Sequence, residues 1–170
     1  AINYDRIVIF FDWDVAGDDS VYYYDEITLV NDAGGSSSVL FQDFEDTAPT
    51  FTAFGDIADI EVVANPDATG KNTTSKVAKL VKTANSKVWA GAFFDRATSL
   101  DVANYSKVTI KTWSPKSGIT VRFKIENSND NTQFVEVDAT TSVANAWEEL
   151  TFDISSALPA INYDRVVIFF

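Results

Sequence analysis

The chain has 170 residues, 46% of them apolar and 14% aromatic, with 25 acidic against 13 basic side chains and a formal charge of −12. That length suits one domain with a sizeable core and leaves no room for a second. The acidic balance argues against nucleic acid or anionic lipid as a partner, and neither a membrane-spanning apolar run nor a basic-then-apolar leader is present. Cysteine and histidine are both absent, which removes disulfides, thiolate zinc sites and the commonest general base together.

Residues 1–11 read AINYDRIVIFF and residues 160–170 read AINYDRVVIFF, Ile7 against Val166 being the one difference. A repeat at a fixed offset, here 160 minus 1 or 159 residues, is the mark of an array. The segment is apolar on both faces, as a central covered strand requires. A sheet has one place for it per unit, so two copies imply a surplus strand or units that complete one another. Asp12–Asp19 is an acidic turn. Against the EF-hand loop, Asp12, Asp14 and Gly17 match, but Ala16 and Tyr23 stand where oxygen ligands are needed, so it is not an EF-hand; a solvated turn is the simpler reading and a looser oxygen-ligand site the alternative. Val21–Val30 resumes as a strand, with Val21, Tyr23, Asp25, Ile27 and Leu29 on one face and Tyr22, Tyr24, Glu26 and Thr28 on the other. Asn31–Ser38 is the Gly/Ser-rich stretch and marks the boundary between units. Residues 1–35 are thus the last strands of one repeat, permuted or belonging to the preceding unit, plus a linker. Residues 36–170 are the body of the next.

In the body, Val39–Glu45 is read as a strand, 49–66 as a long, partly extended connection, and Ser75–Lys82 as a strand in preference to a helix. Val88–Phe94, Val108–Trp113, Ile119–Glu126, Phe134–Ala139 and Trp147–Ile154 follow, separated by turn-rich pieces. Short strands between turns indicate an all-β, two-sheet antiparallel sandwich. Ile119–Glu126 alternates most cleanly, with Ile119, Val121, Phe123 and Ile125 on one side and Thr120, Arg122, Lys124 and Glu126 on the other. The polar side reads equally as cross-strand charge pairs or as the floor of a glycan groove walled by Trp89 or Trp113, since sugars offer hydroxyls to charges and C–H faces to rings. Trp147 is placed in or near the core and Trp13 in an exposed turn. No local motif singles out a pair of catalytic carboxylates, and the chain is not expected to be an enzyme.

Phe44-Glu45-Asp46, Asn65-Pro66-Asp67, Ser75-Lys76-Val77, Trp89–Phe94, Val121–Glu126, Trp147–Asp153 and Tyr24–Ile27 together resemble, in permuted order, the jelly-roll carbohydrate-binding modules of bacterial polysaccharide-degrading and surface proteins. The resemblance implies a jelly roll that binds polysaccharide or cell-surface glycan without catalysis, in an extracellular setting at a bacterial surface. It further implies a structural calcium between Glu45 and Asp25. The alternative is a structural repeat of a surface fibre or adhesin, with neighbouring copies of the repeat as partners and units joined by strand exchange.

Overall fold

Period-two alternation of large apolar residues drives each stretch towards a strand with one face to bury. The computed structural model describes residues 6–31, 37–58, 60–95, 98–161, 163 and 165–169; the start of the first copy and the middle of the Gly/Ser-rich linker lie outside them. The strands are β1 (Arg6–Phe11), β2 (Ser20–Val30), β3 (Ser38–Gln42), β4 (Phe51–Phe54), β5 (Glu61–Ala64), β6 (Lys76–Lys82), β7 (Gly91–Asp95), β8 (Lys107–Ser114), β9 (Thr120–Asn127), β10 (Asp130–Thr140), β11 (Ala146–Asp153) and β12 (Arg165–Phe169). No helix occurs among the described residues. One sheet runs β10-β9-β1-β12-β7-β4; the second runs β11-β8-β2-β6-β5, with β3 also on β2. All pairs are antiparallel except β1 with β12.

The inner faces of the two sheets pack on each other in a β-sandwich-like arrangement. Phe11 of β1 stacks on Tyr22 of β2 with ring centroids 5.0 Å apart, and Phe123 of β9 meets Phe152 of β11 at 5.3 Å. Both aromatic pairs are buried with Ile9, Phe94, Val121 and Ile125. Each such side chain contributes about 1.5–3 kcal/mol relative to exposure, so the aromatic seam is the main adhesive between sheets.

Two departures from simple alternation shape the second sheet. In β2, Tyr22 and Tyr24 are buried, but so are Ile27 and Leu29, which strict alternation puts on the opposite face. A bulge at Asp25–Glu26 makes the switch: Glu26 has φ +43° and the register to β8 shifts between Asp25 and Thr28. The extra residue lets both halves of β2 feed one core, and it lodges Asp25 in a fully buried position. The bulge also divides the edge of β2, with β6 pairing Ser20–Tyr24 and β3 pairing Ile27–Val30. The stretch 49–66, expected to be a connection, supplies β4 and β5, one to each sheet.

Lys82 on β6 is fully buried; its amine donates to the Asp12 carbonyl at 2.7 Å and lies 3.4 Å from the Phe11 carbonyl. Burial lowers its pKa to about 8, with Asp12 opposing. Above pH 8 the folded lysine loses its proton while the unfolded one keeps it, so stability rises with pH. Between pH 7.5 and 9.5 the gain is expected to be about 2 kcal/mol. Urea midpoints across that range check it, and Lys82→Met should flatten the slope. Tyr22 and Tyr24, both held above the usual tyrosine value by burial, oppose the trend only above pH 10.

Candidate functional site

The outer face of the second sheet carries a continuous cross-strand row. Trp147 stands opposite Trp113, Trp113 opposite Tyr23, Tyr23 opposite Lys79 and Lys79 opposite Glu61, spanning β11-β8-β2-β6-β5. Directly opposed side chains lie about 4.5–5.5 Å apart at Cβ, close enough for one flat ligand to touch several. Tyr23 meets the Trp113 ring edge-on, centroids 5.5 Å apart at 79°. Trp147, though on the outward side, is 6% exposed because the 65–75 loop covers it, and its indole N–H donates to the Asp67 carbonyl at 2.9 Å. Trp113 and Tyr23 are half-buried and keep accessible edges. At the far end Lys79 donates to Glu61 at 2.7 Å, a bond that raises the lysine pKa. On the same face, along β2, β3, β8 and β11, lies a hollow of about 340 Å3 lined by Thr28, Val30, Ser37, Ser38, Thr109 and Glu149. Hydroxyls and a carboxylate thus stand beside an aromatic strip.

No family model, curated protein or solved structure matches the chain.

The glycan-binding candidates read from the sequence fall on the outer faces of both sheets. Trp113 belongs to the row just described. Arg122, Lys124 and Glu126 share the outer face of the other sheet, across the core from Trp113, and are tied into an ion-pair chain. Arg122 binds Asp138 through two nitrogens at 2.7 and 2.9 Å and stacks over the Trp13 ring at 4.4 Å. Lys124 pairs with Glu126 at 3.0 Å and Glu136 at 3.5 Å and sits 4.3 Å above the Phe134 ring. Glu126 reaches Arg165 at 3.5 Å, which reaches Asp95 at 3.4 Å. Each charge in this chain meets an opposite one, the geometry of cross-strand pairing. Trp89 lies in the loop before β7, 48% exposed, stacked on Phe54 at 6.3 Å and 15°. Trp113 therefore lies across the core from the charged row, whereas Trp89 stands on the row's own side, through Phe54, which meets Phe93 at 6.5 Å, and Arg165, which lies 5.4 Å over Phe93 and reaches Glu126. Trp13 is half-buried under Arg122 rather than free in its turn.

Tyr23, Lys79 and Glu61 were not singled out. Their signal was the parity of β2 and β6, but what joins them to Trp113 is sheet order.

Asp25 and Glu45 both converge on residues 72–76. Asp25 accepts from Asn72 Nδ2 at 3.0 Å, from the Thr74 hydroxyl and from the Glu26 amide at 2.8 Å. No cation among the described residues pairs with it, and burial raises its pKa to about 6. Glu45 accepts from the Ser75 and Lys76 amides at 2.8 and 2.7 Å and from the Ser75 hydroxyl, which holds its pKa below the usual range. Among the described residues no group of three or more acidic side chains stands close enough to hold a metal. Asp25 and Glu45 are the carboxylates that would hold a calcium here, with neutral oxygens needed for the rest of its shell.

Proposed function

We propose that the chain is a non-catalytic glycan-binding module with jelly-roll connectivity, a unit of a tandem array in an extracellular bacterial surface protein. What supports this reading is the Trp113–Tyr23–Lys79 row beside a hydroxyl-lined hollow. Aromatic faces take the C–H surface of a sugar, while Lys79, Glu61 and Glu149 meet its hydroxyls with charge-assisted bonds. The ligand is a polysaccharide lying across the strands of the second sheet. Calcium at Asp25 and Glu45 is structural and stiffens the bulge of β2, whose first half presents Tyr23.

Trp113→Ala and Tyr23→Ala are each expected to weaken binding about fivefold, near 1 kcal/mol for a lost stacking contact, with melting little changed. A glycan array followed by pull-down on insoluble polysaccharide measures this. Full binding by the double variant would remove this face from consideration, and dependence on Trp89 instead would move the site to the loop before β7.

A second reading is a structural repeat of a surface fibre, whose work is length and cohesion. It is favoured by the near-identity of residues 1–11 and 160–170, since a strand kept almost unchanged serves assembly more directly than sugar recognition.

A further inference from the structure

Both copies of the duplicated segment address the same gap in the first sheet. Arg6 and Arg165 each stand opposite Glu126 of β9, and Ile9 and Ile168 each stand opposite Phe123. On the other side, β1 sets Ile7 opposite Phe94 and Val8 opposite Phe93 of β7, which carries Phe10 to Gly91; β12 sets Phe169, the repeat-equivalent of Phe10, opposite Gly91. The registers are identical after subtraction of the 159-residue offset. The far edges of β9 and β7 are already taken by β10 and β4. One strand edge ladders with one partner at a time, at a spacing of about 4.8 Å, so the gap holds a single strand. The two copies lie parallel, Ile7 level with Val166 and Val8 with Val167.

The fold grips each copy at a different end. The exit of the first copy is fixed: Phe11 is buried on Tyr22, and Asp12 takes the Lys116 amine at 2.7 Å. The Trp13 amide donates to the Thr120 carbonyl. The entry to the second copy is fixed by Tyr163, buried, whose hydroxyl accepts from the Leu158 amide at 3.0 Å and whose carbonyl accepts from Leu100. A strand gripped at both ends would enter from Tyr163 and leave through a segment like Asp12–Asp19, and each of the two copies meets one of these grips.

We propose that β1 and β12 are alternative occupants of one slot between β9 and β7, and that the displaced copy is a donor strand for the same slot of a second copy of this chain. The partner is specified by the slot: it accepts this sequence in this register, and the donor is the same sequence. A displaced copy leaves a long apolar strand unpaired, the form most prone to pair with another edge. In a tandem array each copy lies between two slots and can close either, so adjacent units share a strand. The proposal deepens the structural reading above and does not depend on glycan binding.

The chain lacks cysteine, so introduced pairs report register without background. Glu126→Cys is combined with Arg6→Cys in one full-length variant and with Arg165→Cys in another. Both are expected to form the intramolecular disulfide under mild oxidation. Mixing a Glu126→Cys chain with an Arg6→Cys or Arg165→Cys chain should give covalent dimers whose yield rises with concentration. Cross-linking by one pair alone, or no mixed dimer at millimolar chain, overturns the proposal. A second measurement covers misfolding of these variants. Ile9→Asp and Ile168→Asp singly should shift the melting temperature by a few degrees, because the intact copy takes the slot, whereas the double variant loses its cooperative transition. A single variant as damaged as the double would equally overturn it. Neither readout involves a glycan, so the proposed binding function stands or falls separately.

Discussion

Replacing Gly17 by alanine is expected to destabilise the fold by about 3 kcal/mol, the upper end of what overpacking costs. A Cβ at this position would lie 1.8 Å from the Thr83 carbonyl oxygen and 2.2 Å from the Ser86 hydroxyl. The first obstacle is backbone and cannot rotate away. It is also anchored, since the Thr83 carbonyl accepts from the Ser86 amide and hydroxyl, each at 2.8 Å. The two loops must therefore separate, breaking the Asp19 amide bond to the Lys82 carbonyl at 2.8 Å and the Ala84 amide bond to Asp19 at 2.9 Å. Lys116 bridges Asp12 and Asp18 at 2.7 and 2.8 Å across the same loop, so the exit of the duplicated segment loosens with it. Gly118→Ala is the control. Its φ of +76° is unfavourable to alanine but nothing lies within 4 Å, so only the backbone cost of about 1 kcal/mol applies. Equal urea midpoints for the two variants would show that contact at Gly17 is not what matters.

What the sequence made legible follows from locality. In β9 the apolar set Val121, Phe123 and Ile125 enters the core and the charged set takes the outer face, where Lys124 and Glu126 are also buried beneath their ion pairs, because one strand with unbroken alternation encodes its own orientation. β2 carries a similar signal, yet the bulge at Asp25–Glu26 reverses its second half. A one-residue insertion is invisible to a pattern read residue by residue, and neither residue is the glycine that often flags a bulge. β4 and β5 escaped notice because strands of four residues between Pro49, Gly55 and Pro66 hold too few alternations to register. Val88 and Trp89 read as strand but form a turn, where the Ala90 amide donates to the Lys87 carbonyl, and the ladder starts at Gly91.

The candidate site was harder to see for a related reason. Trp113 and Tyr23 sit far apart in the chain and meet because β8 and β2 are neighbours; Lys79 and Glu61 join through two further pairings. Sheet order is a tertiary fact that no window of sequence contains. The clean alternation of β9 drew attention to its charges, but a polar row satisfied by its own neighbours is what that pattern produces when the adjacent strand offers Asp138 and Glu136.

In EDTA, stability is expected to fall by about 2 kcal/mol as pH rises from about 4 to about 6, and calcium should restore most of that loss at pH 7. The cause is Asp25. Burial raises its pKa from 3.8 to about 6, against the Thr74, Asn72 and Glu26 donors that pull it down. In this window the folded carboxyl keeps a proton that the unfolded one has released, so each step upward in pH favours the unfolded chain; below about pH 4 both are protonated and the effect ends. Above pH 6 the fold carries a buried anion without a cationic partner among the described residues, a costly state unless something neutralises it. Calcium bound by Asp25 and Glu45 would do so, and a ligand at a hundredfold excess over its Kd adds about 2.7 kcal/mol when it binds only the folded state. Urea unfolding at pH 4.5 and 7, each with EDTA and with calcium, separates the contributions. Calcium should raise the midpoint at pH 7 and leave it nearly unchanged at pH 4.5, where the protonated acid is a poor ligand. Asp25→Asn should abolish both the pH slope and the calcium response. Coincident EDTA and calcium curves at pH 7 would rule out the metal, while a slope that survives Asp25→Asn would assign the titration to another carboxylate.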